Sequence, residues 1–227
     1  MLVISVGDTH FPWIYWRTID RICERIESTR NVKNVHIIQM GDLYDQYSYS
    51  KFPRTHDLYT PKEEVLRGRK LAERMWDMFK KANPRAKCWQ LMGNHDVRPY
   101  KRILERLPEV ETFMDFKSHW SFDKVETILD VSEDLILGGV VYTHGWTKLG
   151  NHVAFTGKNT VCGHLHRGGV VTVRHGKKTL WEANAGFCAN PHSVPLSYGP
   201  LNRYSKTTQG WLEVSEGWPT FRGCLNP

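Results

Sequence analysis

The chain is poor in cysteine and has no long apolar run, repeat or low-complexity tract. Of its 227 residues only five are cysteine, at positions 23, 88, 162, 188 and 224. They are odd in number, scattered and never in a CxxC arrangement, which argues against a disulfide framework or a thiolate zinc site and fits a reducing cytoplasm. No apolar stretch approaches the roughly 20 residues that span a bilayer. The apolar start lacks a basic leader and meets Asp8 almost at once, so the expectation is a chain neither exported nor embedded, with no membrane partner. Acidic residues are the minority: 31 Lys and Arg against 24 Asp and Glu leave a net charge of +7. That balance favours polyanionic partners.

What is present is ordinary for a globular protein, with 40% hydrophobic and 24% charged residues in a length that suits one domain over 1–227. WRTIDRICERIES carries Ile19, Ile22 and Ile26 at helical spacing after a first apolar strand, which predicts a βαβ unit. TPKEEVLRGRKLAERMWDMFKKANP predicts a second helix: Thr60 as cap, Pro61 in the first turn, Glu63 completing a capping box and Pro84 beyond the end. Its expected apolar stripe is Val65, Ala72, Met75, Trp76 and Phe79, opposite a solvated face of Arg67, Lys70, Arg74 and Lys81. From Val170 onward the pattern turns to strand pairs, VVTVRHGKKTLWEANAG and GWLEVSEGWPTF. NPHSVPLSYGPLNRYSKTT between them reads as a long loop of the kind that serves a site or an interface.

The chemistry lies in five short segments where an apolar run ends in glycine and polar groups. MLVISVGDTH delivers Asp8 and His10; VHIIQMGDLYD delivers Asp42 and Asp45; CWQLMGNHD delivers Asn94, His95 and Asp96; VVYTHG delivers His144; VCGHLHR delivers His164 and His166. In extended chain, residues two apart project to the same side, so Asp8 with His10, and His164 with His166, are each expected to converge. Asp8, His10, Asp42, Asn94, His144, His164 and His166 form a set of nitrogen and oxygen donors large enough for two metals. Such shells suit Mn, Fe, Co, Ni or Zn better than Mg. Two divalent ions about 3.5–4 Å apart can share a carboxylate and a hydroxide and clamp an attacked phosphorus, which points to phosphoester hydrolysis.

DTH, GDLYD, GNHD, THG and GHLH, in this order over residues 8–166, resemble the signature segments of the calcineurin-like metallophosphoesterase superfamily. The motif spacing, the Glu-rich start of the second helix and NAG at 184–186 are similar to its small single-domain members from bacteria and tailed phages; a phage member would work in the host cytoplasm. The resemblance implies an α/β fold, a four-layer αββα sandwich of two mixed sheets flanked by helices, with the site at strand ends. It implies one metal on Asp8, His10, Asp42 and His166 and another on Asp42, Asn94, His144 and His164, most simply Mn, with Asp42 bridging. Gly163 would let the backbone approach the metals. His95 would stand over the leaving oxygen as acid or charge stabiliser, oriented by Asp45. Asp96 reads equally well as a loop cap or a catalytic group.

Protein Ser/Thr phosphatases of the superfamily follow GDxVD with an arginine and lack the second histidine of GHLH, whereas this chain has Gln46 and His166. Both departures lead towards nucleases, cyclic-nucleotide phosphodiesterases and small phosphatases. Tyr47, Tyr49, Lys51 and Arg54 after the second motif, with Arg98, Lys101, Arg102 and Arg106 after the third, suit a phosphate backbone and stacked bases. The expected substrate is therefore a phosphodiester, of DNA, RNA or a nucleotide, with Tyr47, Tyr49, Arg54, Arg98, Lys101 and Arg102 as contacts. A phosphomonoesterase is the alternative, and a non-catalytic scaffold a remote one, since no ligand is missing. No obligate protein partner is evident.

Overall fold

A computed structural model describes residues 1–50, 59–109, 115, 117–128, 130–193 and 207–224. In chain order the elements are β1 (Leu2–Val6), α1 (Trp16–Glu27), β2 (Val35–Gln39), a 3-10 turn (Tyr47–Tyr49), α2 (Pro61–Ala82), β3 (Lys87–Gln90), α3 (Arg98–Leu104), α4 (Lys117–Trp120), β4 (Val125–Thr127), β5 (Leu135–Leu137) and β6 (Val140–Thr143). Then come α5 (His152–Thr156), β7 (Thr160–Cys162), β8 (Gly169–His175), β9 (Lys178–Asn184), β10 (Gly210–Ser215) and β11 (Trp218–Gly223).

They form two mixed sheets, ordered β11-β10-β1-β2-β3-β4 and β5-β6-β7-β9-β8. In the first sheet β1 to β4 are parallel, and β10 and β11 extend it antiparallel. In the second, β6, β7 and β9 are parallel between antiparallel edges β5 and β8. Every residue of β1 is buried, as a strand covered on both faces requires. Leu2, Ile4 and Val6 turn outward to Ile19, Ile22 and Ile26 of α1 and to Met75, Trp76 and Phe79 of α2. Val3, on the other face, packs with Ile38 and Met40 against Tyr142, Val161 and Ala183 of the second sheet. With α5 on the outer face of that sheet, where Val153 N donates to Glu182 Oε2 at 3.0 Å, the layers run helix, sheet, sheet, helix. Among the described residues no helix is long and apolar enough to cross a membrane.

Helix α2 has the expected start: Thr60 accepts from the Glu63 amide, Glu63 reaches back to Thr60 N, and Pro61 sits in the first turn. Its stripe begins differently. Val65 is only half-buried and Glu64 is buried instead, because Glu64 accepts the backbone N–H groups of Tyr47 at 2.7 Å and Ser48 at 2.9 Å. Two amides that would otherwise be unsatisfied there need that carboxylate. The expected basic face, Arg67, Lys70, Arg74 and Lys81, is exposed. The loop read at NPHSVPLSYGPLNRYSKTT lies mostly outside the described residues.

Candidate metal centre

The five segments singled out in the sequence follow β1, β2, β3, β6 and β7. Within each sheet these strands are parallel, so their carboxyl ends lie along one edge. The groups do not converge by extended alternation, however. His10, Asp42, His164 and His166 have φ of 46°, 51°, 67° and 57°. Each turns through the left-handed region, uncommon for residues with a Cβ and concentrated at functional sites. The chain must turn here to crowd polar side chains inward. Gly163 meets the same crowding: a Cβ on it would lie 2.7 Å from Asp8 Oδ1 and 3.1 Å from Met40 O.

Asp8, His10, Asp42 and His166 offer donor atoms all within 4.8 Å of one another, and Asp42, His144 and His164 form a second such group. Asn94 joins the second, its Oδ1 lying 3.1 Å from His144 Nε2 and 2.9 Å from His164 Nδ1. Asp42 is common to both, with Oδ1 3.4 Å from His144 Nε2 and Oδ2 4.0 Å from His10 Nε2. The donor set fits cations. His10 Nε2 and His166 Nε2 face each other at 3.0 Å. Asp8 Oδ2 stands 3.0 Å from His166 Nε2 but out of hydrogen-bond alignment, and is buried without a donor. A buried carboxylate oxygen without a donor, set beside two imidazole nitrogens, suits a positive charge.

The other ring nitrogens are tied down. His144 Nδ1 donates to Met40 O at 2.9 Å, and His10 Nδ1 donates to Asp45 Oδ1 at 3.1 Å. Such outer bonds orient metal-binding imidazoles and leave the second nitrogen free to coordinate. Burial opposes charge throughout, yet the charges prevail where they are paired. Burial raises the pKa of Asp42, but His144 and His95 bring it well below the ordinary value. Burial likewise lowers that of His144, but Asp42, and then Asp8, lift it to about 10. For His10 burial wins, reinforced by His95, and its pKa falls.

His95 and Asp45 stand beside the clusters. His95 Nδ1 donates to Asp45 Oδ1 at 3.0 Å and to its carbonyl at 2.9 Å, while Nε2 lies 3.8 Å from Asp42 Oδ2. Asp45 thus serves His10 and His95 together. Although burial raises its pKa, these two histidines hold it well down. The open question over Asp96 resolves towards the loop cap: it accepts from the amides of Tyr44 (2.8 Å), Gly93 (2.9 Å) and Leu43 (3.2 Å). Of the expected substrate contacts, Tyr47 is buried, Tyr49 and Arg98 are half-buried, Lys101 and Arg102 are exposed on α3, and Arg54 lies outside the described residues.

Three supporting residues went unassigned in the sequence. Glu64 seats the 3-10 turn through the two amides given above. Asn184, at the end of β9, donates to Gly163 O and accepts from Gly186 N at 3.0 Å, so it braces the GHLH loop. NAG is visible in the sequence, but its role depends on β9 lying next to β7. Phe187 packs its ring on His166 at 4.5 Å between centroids.

Centres of this kind, two imidazole and carboxylate clusters sharing an aspartate, belong to hydrolases that bind divalent ions and cleave phosphoesters. Residues 1–210 match the family model described as calcineurin-like phosphoesterase, and the chain belongs to that family, as a metal-dependent phosphoester hydrolase. The chain is also similar to a solved structure, a hypothetical protein from Thermus thermophilus, at 13% identity over 98% of this chain and 99% of that one, with a TM-score of 0.42. No curated protein matches it significantly.

Proposed function

We propose that this enzyme is a phosphodiesterase acting on nucleic acid or nucleotides. The observation that carries the reading is where cations stand around the centre. The position after Asp45 is Gln46, neutral and buried. Arg98 is engaged by His95 and the Asp45 carbonyl, and the other basic groups lie outward, where Arg102 of α3 and Arg106 just beyond it line, with Ser48, Tyr49, Ile103 and Leu107, a cavity of about 360 Å³. A monoester, with about two negative charges, profits from a fixed cation on its terminal oxygens. A diester carries one charge and extends on both sides of phosphorus, so cations and an aromatic ring along a flank suit it better.

In this reading Asp8, His10, Asp42 and His166 hold one ion and Asp42, Asn94, His144 and His164 the other, with Mn favoured over Fe, Zn, Ni and Co. When bound, the ions supply an acidified water and a Lewis-acid clamp on phosphorus. Asp45 fixes two imidazoles through one carboxylate oxygen, the Met40 carbonyl fixes His144, and His95 stands on the leaving-group side. Asp8, His10, Asp42, Asp45 and His144 are buried, which strengthens each of these interactions. The test is a kcat/KM comparison of matched diesters and monoesters, with single-stranded and duplex DNA and RNA, after chelation and reloading with Mn, Zn, Fe or Mg. Higher values on diesters, abolished by chelation and restored better by Mn than by Mg, are expected. A tenfold preference for monoesters without cleavage of any nucleic acid would overturn the reading in favour of a phosphomonoesterase.

A further inference from the structure

Arg98 opens α3 and reaches back over the centre. Its Nη2 lies 2.6 Å from His95 Nε2, and its Nη1 donates to the Asp45 carbonyl at 3.0 Å. That carbonyl also accepts from His95 Nδ1, so Arg98, His95 and Asp45 form a closed ring of hydrogen bonds. The guanidinium cannot swing away without breaking two of them. His95 Nε2 is the nitrogen that faces Asp42 Oδ2 at 3.8 Å, so Arg98 stands at the side of the carboxylate common to both clusters. The half-buried guanidinium thus covers the Nε2 edge of that imidazole. Arginine has five N–H donors, of which this ring engages two.

We propose that Arg98 is a catalytic residue that delivers a fixed positive charge and N–H donors to the leaving oxygen, with His95 and Asp45 as the residues that position it. The proposal rests on the phosphoesterase reading and adds the group that meets the departing oxygen. Hydroxide attacks phosphorus, the ester P–O bond on the far side breaks, and its electron pair stays on the departing oxygen. That oxygen accepts a hydrogen bond from Arg98 and takes its proton from water, which regenerates hydroxide; Arg98 keeps all its protons. Lysine cannot replace it, because a point charge has no planar fork to hold His95 and Asp45 while facing a third group.

The experiment measures turnover of the metal-loaded full chain on aryl phosphodiesters whose phenols span a wide range of acidity, for wild type, Arg98→Ala and Arg98→Lys. Both variants are expected to keep wild-type metal content and to lose about 100-fold on the poorest leaving groups, in line with removal of one preorganised donor, but little on the best. Guanidinium ion at millimolar concentration should restore Arg98→Ala on the poor leaving groups, and potassium should not. In the metal-free chain, where turnover plays no part, the His95 Nε2 resonance should move on replacement of Arg98 by lysine. Equal losses across the series with no guanidinium rescue, or an unmoved His95 resonance, overturn the proposal and leave Arg98 a structural strap. If wild type itself cleaves no ester with any divalent ion, the phosphoesterase reading fails and this proposal with it; loss confined to the variants' leaving-group dependence concerns Arg98 alone.

Discussion

Asp45 accepts from His10 and His95 through the same oxygen, at 3.1 and 3.0 Å, which makes one side chain answerable for two imidazoles on different strands' ends. Asp45→Ala removes the acceptor that fixes both. Metal affinity is expected to fall about 10–100-fold, the usual consequence of losing an outer partner of a coordinating imidazole. Titration of the apo-protein with Mn or Zn checks it, and unchanged affinity would mean that His10 needs no such support. At this scale the sequence was informative about identity and silent about arrangement. The seven nitrogen and oxygen donors were singled out because Asp8, Asp42, Asn94, His144 and His164 stand beside glycine at the ends of apolar runs, and His10 and His166 lie two residues beyond Asp8 and His164. Their left-handed backbones could not, since Asp and His, though enriched in such turns, adopt them only uncommonly, and here His10, Asp42, His164 and His166 do so. The ring joining Arg98 to His95 and Asp45 was hidden for another reason: it depends on how α3 folds back.

Among the elements, α1 is joined to β10 by a bidentate pair, Arg25 Nε and Nη2 donating to Glu213 Oε1 and Oε2 at 2.8 and 2.9 Å, with Trp211 Nε1 adding a third bond at 2.9 Å. Burial raises the pKa of Glu213, but Arg25 and Trp211 outweigh it and the folded value lies below the ordinary 4.5. A depressed carboxyl pKa means that its stabilisation is present above about pH 4.5 and is lost as pH falls through the folded value. Glu213→Gln should therefore cost about 1.5–3 kcal/mol at pH 7, the range for hydrogen bonds to a charged group, and progressively less below pH 4.5. Urea unfolding of both proteins across pH 3–7 tests this, a constant difference being the contrary result. Gly163→Ala is expected to be worse placed, because its Cβ would meet Asp8 Oδ1 at 2.7 Å. A loss of about 1–3 kcal/mol, as for other overpacked sites, together with reduced metal content by elemental analysis, should follow; full occupancy and unchanged Tm would contradict the crowding argument. Periodicity made α1, α2 and both late strand pairs legible. It misjudged Val65 against Glu64, since a buried carboxylate that satisfies two amides leaves no trace in an apolar stripe.

Over the whole molecule the net charge of +7 is a field as well as a count. If the substrate is polymeric, its affinity should fall steeply with salt, log K against log salt sloping by about 0.9 for every phosphate neutralised on duplex DNA. Reversing the charge of Lys101 and Arg102 together, both exposed on α3, is expected to flatten that slope by about one to two units while leaving hydrolysis of a small chromogenic diester near wild type. Filter binding or fluorescence anisotropy across a salt series measures it, and a slope that does not change assigns the polymer to another face. The two-sheet sandwich was expected only from the family resemblance that the motifs carry; periodicity alone predicted a βαβ unit and two late strand pairs. Composition and periodicity do not say how strands β6 and β7 come to lie beside the ends of β1, β2 and β3.

The donors of the two clusters are drawn from residues 8 to 166 and from both sheets, and this gives the proposed ions a part in assembly as well as in chemistry. A growing polypeptide extended through the loop after β3 holds Asp8, His10 and Asp42 of the first cluster and Asp42 and Asn94 of the second, so neither is complete. Both clusters are complete only once β7 has docked, because His164 and His166 follow it, so full metallation by both ions is expected late in folding. Once captured, each acts as a rivet between the halves: a ligand present at about 100 times its dissociation constant adds about 2.7 kcal/mol to the stability of the state that binds it. Chelation should consequently lower Tm and speed hydrogen exchange first in the loops that follow β6 and β7, where the rivet is withdrawn.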